Sequence, residues 1–524
     1  MNIRHSLSKL NYRLWIKNNE PNKKELKTQR NYKFQYEPKI SLIVPMYNTK
    51  EKYLKELTDS LINQTYKNWE LCLADGSNEK YEYVEKLVSQ DKRIKYKFLN
   101  QNRGISENSN EALKLATGDY IALLDHDDLL PVFSLYEIVK TINKNKDVEL
   151  IYTDEDKIQE DKQKRMLPHF KQDYAPDTLL SYNYICHFSI IKKSLIEKLG
   201  GFRKEFDGSQ DYDLILRATE EANQIVHIPK VLYHWRINEN SVALSSETKL
   251  YAYEAAKKAI SEHLKRINVK AKVEDTDSKG IYKINYEVIG NPKVSIIIQN
   301  TDNKKNLQKC INSITEKTTF SNYEIIMVEN NKDINVTGDY IILLSNTIEI
   351  ITPNWIEIML GNCQKEDVGI VGAKILYGNQ KIRHVGICLD TNKTVRYVNR
   401  GMNANNPGYM SRNIISQNYN CVSSEMLMIS KKDYEDVGGL DERFNYYSDV
   451  DLCLKIRKKG KLVVMNPFAC GYYFGTEKDS KSKADARKLK NKWKEFFAKE
   501  DEYFNVNFRQ NTEIIRIRNT RVKW

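Results

Sequence analysis

The stretch TGDYIALL at 117–124 returns as TGDYIILL at 337–344, identical at seven of eight positions. Two more pairs share one offset of 254 residues: KISLIVPMYNT at 39–49 with KVSIIIQNTDN at 293–303, and NWELCLADG at 68–76 with NYEIIMVEN at 322–330. The TGDY pair is offset by 220, so the second copy lacks 34 residues between those landmarks. Further on, GGFRKEFDGSQDYDLILR at 200–217 answers GGLDERFNYYSDVDLCLKIR at 438–457. A chain built this way must fold one plan twice. Its 524 residues allow two or three domains.

Each copy alternates two hydrophobic periods. ISLIVP, WELCLAD, IKYKFL and YIALLD read as short buried strands, and EKYLKELTDSLINQ and YEYVEKLVSQ carry helical spacing. Strand–helix alternation predicts an α/β open sheet with crossover helices. Ligands of such sheets bind beyond the carboxyl ends of the strands. There the chain reads PMYN, DGSN and DHDD.

Hydrophobic residues at 40% and aromatics at 10% support real cores rather than disorder. No apolar run approaches the ~18–20 residues of a membrane span. The first twenty residues lack the apolar core of a signal peptide, so the expected location is the cytoplasm. The eight cysteines form no C-x-x-C pair and read as small buried hydrophobes. The net charge of +13 sits at the ends: residues 1–30 hold eight Lys/Arg against two Glu, and residues 480–524 hold thirteen against six Asp/Glu. Basic ends on a balanced body suit solvated helices or an anionic membrane surface at the inner face of the cell membrane. Nucleic acid is a poor match, because no recognised nucleic-acid motif accompanies them. In the N-terminal helix, Ile3, Leu7, Leu10 and Leu14 recur at helical spacing, an apolar stripe that suits a membrane surface or the protein body equally.

Asp125, Asp127 and Asp128 crowd three carboxylates into four residues after an apolar strand. A divalent cation removes that repulsion, and a hard cation takes oxygen ligands. An EF-hand does not fit, because its sixth position is Leu130 rather than glycine. The competing reading is an acidic N-cap for a helix starting within DDLLPVFSLYEIVK.

VPMYN, ADGS, NRGISENSNEAL, TGDYIALLDHDD, GGF and SQDYDL occur together in one order. In that order and spacing the chain resembles the family 2 glycosyltransferases, over about residues 38–480 and twice over. The resemblance implies two tandem GT-A domains, the Rossmann-like open sheet that binds nucleotide-diphosphate sugars. It implies that Pro45, Tyr47 and Asn48 line the nucleotide pocket, with Asp75 near base and ribose. Asn102, Gly104 and Asn110 would lie under the nucleotide. Asp125 and Asp127 look like the D-x-D element, with Asp127 the metal ligand and Mn2+ or Mg2+ the cofactor. Asp211 stands at the general-base position, and Gln210 replaces the glutamate common before it. Asp213 reads as structural. Ser109 stands where family members usually have arginine. His234 would be a second metal ligand, and Arg236 and Ser241 pyrophosphate contacts.

In the second copy Ser345 and Thr347 stand where Asp125 and Asp127 do. Gln299 replaces Pro45, Glu329 replaces Asp75 and Tyr472 replaces His234, while Asp449 matches Asp211. The expected organisation is a basic helical N-terminal extension (1–37), a catalytic GT-A domain (38–285), a degenerate non-catalytic GT-A-like domain (286–480) and a basic C-terminal helix and tail (481–524). The expected activity is metal-dependent, inverting transfer from a nucleotide-diphosphate sugar, UDP-sugar favoured, to a hydroxyl of a glycan, glycolipid or glycoprotein in bacterial surface polysaccharide or glycoprotein assembly. A homodimer fits the second copy's expected packing role. The alternative is a non-catalytic sugar- or nucleotide-binding scaffold. A dinucleotide-dependent oxidoreductase is disfavoured because no G-x-G-x-x-G follows the first strand.

Overall fold

The computed structural model describes residues 3–160, 164–237, 250–299, 304–328, 336–391, 394–475, 483–509 and 512–522. Two helices lead the chain, α1 Ile3–Asn19 and α2 Lys23–Asn31. Between them Asn22 accepts from the amides of Lys24 and Glu25, and Glu25 bonds back to the Asn22 amide, a capping box that stops one helix and starts the next.

The first copy runs β1 Ile40–Met46, α3 Glu51–Ile62, β2 Trp69–Asp75, α4 Glu82–Gln90, β3 Ile94–Phe98, α5 Ile105–Leu115, β4 Tyr120–Leu123, α6 Ser134–Lys144, β5 Leu150–Ile158, β6 Arg165–His169, α7 Pro176–Ser181, β7 Ser189–Lys192, α8 Lys193–Lys198, α9 Gln210–Glu221 and β8 Ile225–Arg236. Its sheet has the order β3-β2-β1-β4-β7-β5-β6, and β8 pairs with β5. Strands β1 to β4 are parallel, whereas β7 runs antiparallel to both β4 and β5. The strand readings hold, and the acidic N-cap reading does not. Helix α6 begins at Ser134, past Pro131, and the chain before it leaves the sheet as a turn. Leu129 there exchanges backbone hydrogen bonds with His234 of β8, at 3.2 and 2.9 Å. The aspartates therefore sit in a loop pinned to β8.

Helix α10 Leu250–Arg266 and the hairpin β9 Ala271–Asp275 and β10 Tyr282–Tyr286 lead to the second copy. That copy comprises β11 Val294–Gln299, α11 Lys304–Lys317, β12 Tyr323–Val328, β13 Tyr340–Leu344, β14 Ile348–Ile350, α12 Trp355–Cys363, β15 Val368–Tyr377, β16 Ile382–His384, β17 Ile387–Asp390, β18 Thr394–Tyr397, β19 Gln417–Tyr419, β20 Met426–Ser430, α13 Lys431–Asp436, α14 Ser448–Lys458 and β21 Leu462–Tyr473. Its order β12-β11-β13-β20-β15-β21 repeats β2-β1-β4-β7-β5-β8 strand for strand. Among the described residues nothing corresponds to α4, β3 and α5, the elements that the shorter second copy omits.

The shared TGDY letters hold the sheet together in both copies. Ser41 Oγ donates to Glu70 Oε1 at 2.6 Å, the Gly118 amide donates to Ser41 Oγ at 2.8 Å, and Thr117 donates to Glu70 through its amide and hydroxyl. In the second copy Ser295 donates to Glu324 at 2.6 Å, Gly338 to Ser295 at 2.9 Å and Thr337 to Glu324 at 2.8 Å. Glu70 reaches about 2 because bonds from Ser41 and Thr117 outweigh its burial, and Glu324 reaches about 2 chiefly through Lys293 and Ser295. A Cβ on Gly118 would lie 2.5 Å from the Lys39 carbonyl oxygen, and one on Gly338 2.6 Å from Ser295 Oγ. The threonine and glycine of the shared stretch thus do the same work in both copies.

One continuous apolar core joins both copies and both ends of the chain. Asp177, at the start of α7, receives a hydrogen bond from Asn418 Nδ2 at 2.8 Å and an ion pair from Lys365 at 2.9 Å. After α15 Lys483–Lys492 and α16 Lys494–Phe497, the tail brings Asn505 and Asn507 onto buried Asp154 of β5. Helix α1 packs through Tyr12 and Trp15, while Leu10 and Leu14 are exposed. The expected apolar stripe is thus not the docked face where side chains are described; Ile3 and Leu7 lie outside the described side chains. All eight cysteines are free thiols, six of them buried. No helix among the described residues is long and apolar enough to cross a membrane.

Candidate active site

The carboxyl ends of β1, β2 and β4 form a rim. Pro45 lies in β1, half-buried; Tyr47 just beyond it is 44% exposed. Asn48 adopts a left-handed backbone, φ 48°, and its amide donates to Ser77 Oγ at 2.8 Å. Asp75 ends β2 fully buried and accepts from the Ser77 amide at 2.9 Å and the Tyr96 hydroxyl at 2.7 Å. It therefore shapes the turn that carries Ser77.

Asn102 accepts from the Gly104 amide at 3.0 Å and Asn108 Nδ2 at 3.1 Å, which folds the loop before α5. Gly104 has φ 94°, and a Cβ there would strike Asp207 Oδ2 at 2.4 Å. Asp207 also accepts from the Ser106 amide at 3.1 Å, so a carboxylate of this chain already caps α5. Asn110 exchanges both amide atoms with the Phe202 backbone, at 2.8 and 2.9 Å, and so holds the GGF turn.

The acidic loop is fastened at its far end. Asp128 is fully buried and accepts from the Tyr233 hydroxyl at 2.5 Å and the Arg236 amide at 2.6 Å. Arg236 is itself fully buried: its guanidinium donates to Glu56 and to the Asp127 carbonyl, both at 2.6 Å, and to the Glu160 carbonyl at 3.2 Å. It acts as a strut under the loop in this structure. Ser241 lies outside the described residues. Asp125, 42% exposed at its side chain, remains at the rim with its Oδ2 3.5 Å from His187 Nε2.

Asp211 opens α9 on the opposite side. Its Oδ2 accepts from Asn183 Nδ2 at 2.9 Å and lies 3.8 Å from Cys186 Sγ. Burial raises its pKa; His187 opposes that shift and Asp125 adds to it. The short loop 183–187 thus meets both carboxylates, Asp211 through Asn183 and Asp125 through His187. Asp213, two residues on, is fully buried between Arg203 and Arg217, with Arg217 Nη2 at 2.7 Å.

His234 gives Nδ1 to Asp156 Oδ1 at 2.5 Å. A neutral ring with Nδ1–H bonded there carries its lone pair on Nε2, the atom a metal takes. Among the described residues no group of three or more His, Cys, Asp or Glu is placed to hold a metal. Asp127 and Asp128 both titrate above the ordinary carboxyl range. For Asp127 burial leads, His126 opposes it and Asp125 adds to it; for Asp128 burial leads and the other two aspartates add. A cation would relieve that excess of buried acid. A carboxylate oxygen from Asp127 and the Nε2 lone pair of His234 are donor types that would suit a divalent ion.

The chain has relatives among known proteins. A model described as glycosyl transferase family 2 matches residues 41–200. An uncharacterized protein of Sinorhizobium fredii is 34% identical over 511 residues, covering 87% of this chain and 56% of that protein. The O-antigen biosynthesis protein RfbC of Myxococcus xanthus is 27% identical over 497 residues, 86% of this chain and 38% of that protein. An uncharacterized glycosyltransferase of Methanocaldococcus jannaschii is 30% identical over 227 residues, 41% of this chain and 77% of that protein. The chain belongs to glycosyltransferase family 2. It spans about half the length, or less, of the two curated relatives it matches throughout.

In this family 2 chain the second copy keeps an aspartate, Asp449, at the place of Asp211 and differs at the places of the acidic loop and of His187. Ser345 Oγ and Thr347 Oγ1 are 2.7 Å apart, bonded to each other. Glu425 stands where His187 does and takes both Nε and Nη2 of Arg383, at 2.6–2.9 Å. Burial would raise Glu425, yet His384 and Arg383 hold it at about 2. Arg383 in turn lies 3.6 Å over the Tyr473 ring. An internal ion pair and an aromatic ring fill the space.

Three groups in the glycosyltransferase escaped the sequence reading: His187, Asn183 and Asp156. Only Asp156 left a signal, the run TDED inside an apolar strand, where each buried acid needs a partner.

Proposed function

We propose that the first copy transfers a sugar from a nucleotide-diphosphate donor, UDP-sugar favoured, to a hydroxyl of a glycan or glycoconjugate, with inversion. One observation carries the reading: at the carboxyl edge of the sheet the loop 183–187 meets two carboxylates, His187 Nε2 lying 3.5 Å from Asp125 Oδ2 and Asn183 Nδ2 donating to the buried Asp211 Oδ2 at 2.9 Å. That arrangement suits a donor on one side and an acceptor on the other.

Pro45, Tyr47 and Asn48 would line the nucleotide, with Asp75 shaping the turn beside it. Asp127 and His234 would hold Mn2+ or Mg2+. When bound, the cation supplies positive charge against the departing diphosphate. Asp211 takes the proton of the acceptor hydroxyl as the oxygen–sugar bond forms and the bond to the diphosphate breaks. Asn183 holds the carboxylate in place through Oδ2. The second copy has no catalytic role in this reading and supports the first through Asp177 and its neighbours. Similarity to an O-antigen biosynthesis protein along 86% of the chain favours a surface-polysaccharide acceptor.

The test is nucleotide release from a panel of UDP-, GDP- and dTDP-sugars with manganese or magnesium. Slow metal-dependent release from one donor, lost in Asp127→Ala, is the expected result. Asp211→Ala should lose acceptor-dependent transfer and keep donor binding. A protein that binds no donor would instead be a scaffold.

A further inference from the structure

Asp156 sits fully buried in β5, and its two oxygens divide their work. Oδ1 faces His234 Nδ1 at 2.5 Å. Oδ2 takes Arg165 Nε at 2.6 Å and the hydroxyl of Tyr12. The three partners come from three places: β8, β6 and the N-terminal helix α1. A carboxylate present only to neutralise Arg165 has no need of an imidazole on its other oxygen. Arg165 is moreover paired with Glu20 of the N-terminal segment at 2.5 Å.

Helix α1 is fixed where it offers Tyr12. The Tyr12 ring stacks on Trp15 at 5.7 Å, and Trp15 Nε1 donates to Asn507 Oδ1 at 2.9 Å. Asn18 Nδ2 reaches the Asn519 carbonyl at 2.8 Å, and the Val522 amide reaches Asn19 Oδ1 at 2.7 Å. The helix is thus clasped by the C-terminal tail over the back of the site. On the front, His234 is bridged to Leu129, two residues past Asp127.

We propose that Asp156 is the positioning residue of His234, and that Tyr12 and Arg165 hold it in place, so that the N-terminal helix is a working part of the donor site. The inference rests on the reading of Asp127 and His234 as the cation's ligands. A carboxylate behind a metal-binding imidazole fixes ring orientation and tautomer and makes the free nitrogen a better donor. Tyr12 supplies the third contact that keeps the carboxylate from turning.

Manganese binding to the full chain tests this without activity, by electron paramagnetic resonance of free Mn2+, alone and with UDP or GDP. Asp156→Asn should weaken binding roughly 10–100-fold. Tyr12→Phe, which removes one hydroxyl, should weaken it roughly 2- to 10-fold and keep the fold. Neither should weaken it further in a His234→Ala background, whereas a merely structural effect would lower both backgrounds equally. If Asp156→Asn does not fold, Tyr12→Phe decides. Weaker binding in His234→Ala with no change in Tyr12→Phe and Asp156→Asn overturns the proposal and leaves the site reading intact. Binding that needs Asp127 and is indifferent to His234→Ala also overturns it. Wild-type protein that binds no Mn2+ under any of these conditions, or binds it as well in Asp127→Ala, overturns the site reading and the proposal together.

Discussion

Tyr233 ties the acidic loop to His187: its hydroxyl donates to Asp128 at 2.5 Å, and its ring lies flat on the imidazole, centroids 4.7 Å apart and planes 6° from parallel. Tyr233→Phe keeps the stack and removes the donor. It should cost about 1–3 kcal/mol of stability, because a buried carboxyl loses a partner. Nucleotide affinity should fall with it as the loop loosens. Urea unfolding and nucleotide titration measure the two, and unchanged values in both would refute the link.

Asp211 and Asp213 should separate function from fold. Asp211 titrates above the usual carboxyl value, and its ionised form therefore opposes folding at neutral pH. Asp211→Asn should be at least as stable as wild type and lose roughly 10²- to 10⁴-fold in transfer. In wild type the acid limb of the rate profile should lie above pH ~4, because a base must be ionised and this one keeps its proton longer. Asp213→Asn leaves Arg203 its pair with Glu262 but deprives buried Arg217 of its counter-charge, with only the Leu199 and Gly201 carbonyls as partners, and should destabilise by roughly 3–5 kcal/mol. Thermal melts beside a pH–rate profile decide it.

The second copy should tolerate change at its matching positions. Asp449 is buried and pushed up to about 6 by that burial, so its carboxylate is not needed for stability at neutral pH. Asp449→Asn combined with Ser345→Ala should leave donor release within about twofold of wild type. A large loss would place chemistry in the second copy.

The paired glycines should matter equally. Gly118→Ala and Gly338→Ala each push a Cβ within 2.6 Å of a sheet atom. Each should destabilise by roughly 1–3 kcal/mol, the usual cost of overpacking a close-packed interior. Differential scanning calorimetry on the two single variants would expose any asymmetry between the copies.

The repeat carried most of the fold, because β-branched runs and turn residues write their period directly into the chain. The strands ISLIVP and WELCLAD lie where the pattern predicts, and both sheets share one strand order. Asp75, Asp125 and Asp211 are read from motifs, and their positions along the elements follow: Asp75 ends β2, Asp125 follows β4 and Asp211 lies in the first turn of α9. Arg236 and Asn110 were harder, since a motif fixes position along the chain and leaves open whether a side chain turns outward. Arg236 turns inward to Glu56, and Asn110 to the Phe202 backbone. Contacts between distant segments were invisible: Tyr12 and Asp156 lie 144 residues apart, and no period connects them. At the N-terminal helix the spacing of Leu10 and Leu14 gave no hint of the docked face: the larger aromatic surfaces of Tyr12 and Trp15 meet the core, and Leu10 and Leu14 stay exposed.

Asn507 donates to Asp154 at 3.2 Å and to the Pro229 carbonyl at 2.9 Å, and receives the Trp15 indole. The strand that carries Asp154 also carries Asp156. During synthesis, β5 leaves the ribosome some 350 residues before the asparagine that completes its surroundings. The first copy is translated early, and the polar surroundings of its strand β5 are complete only once Asn507 has been made.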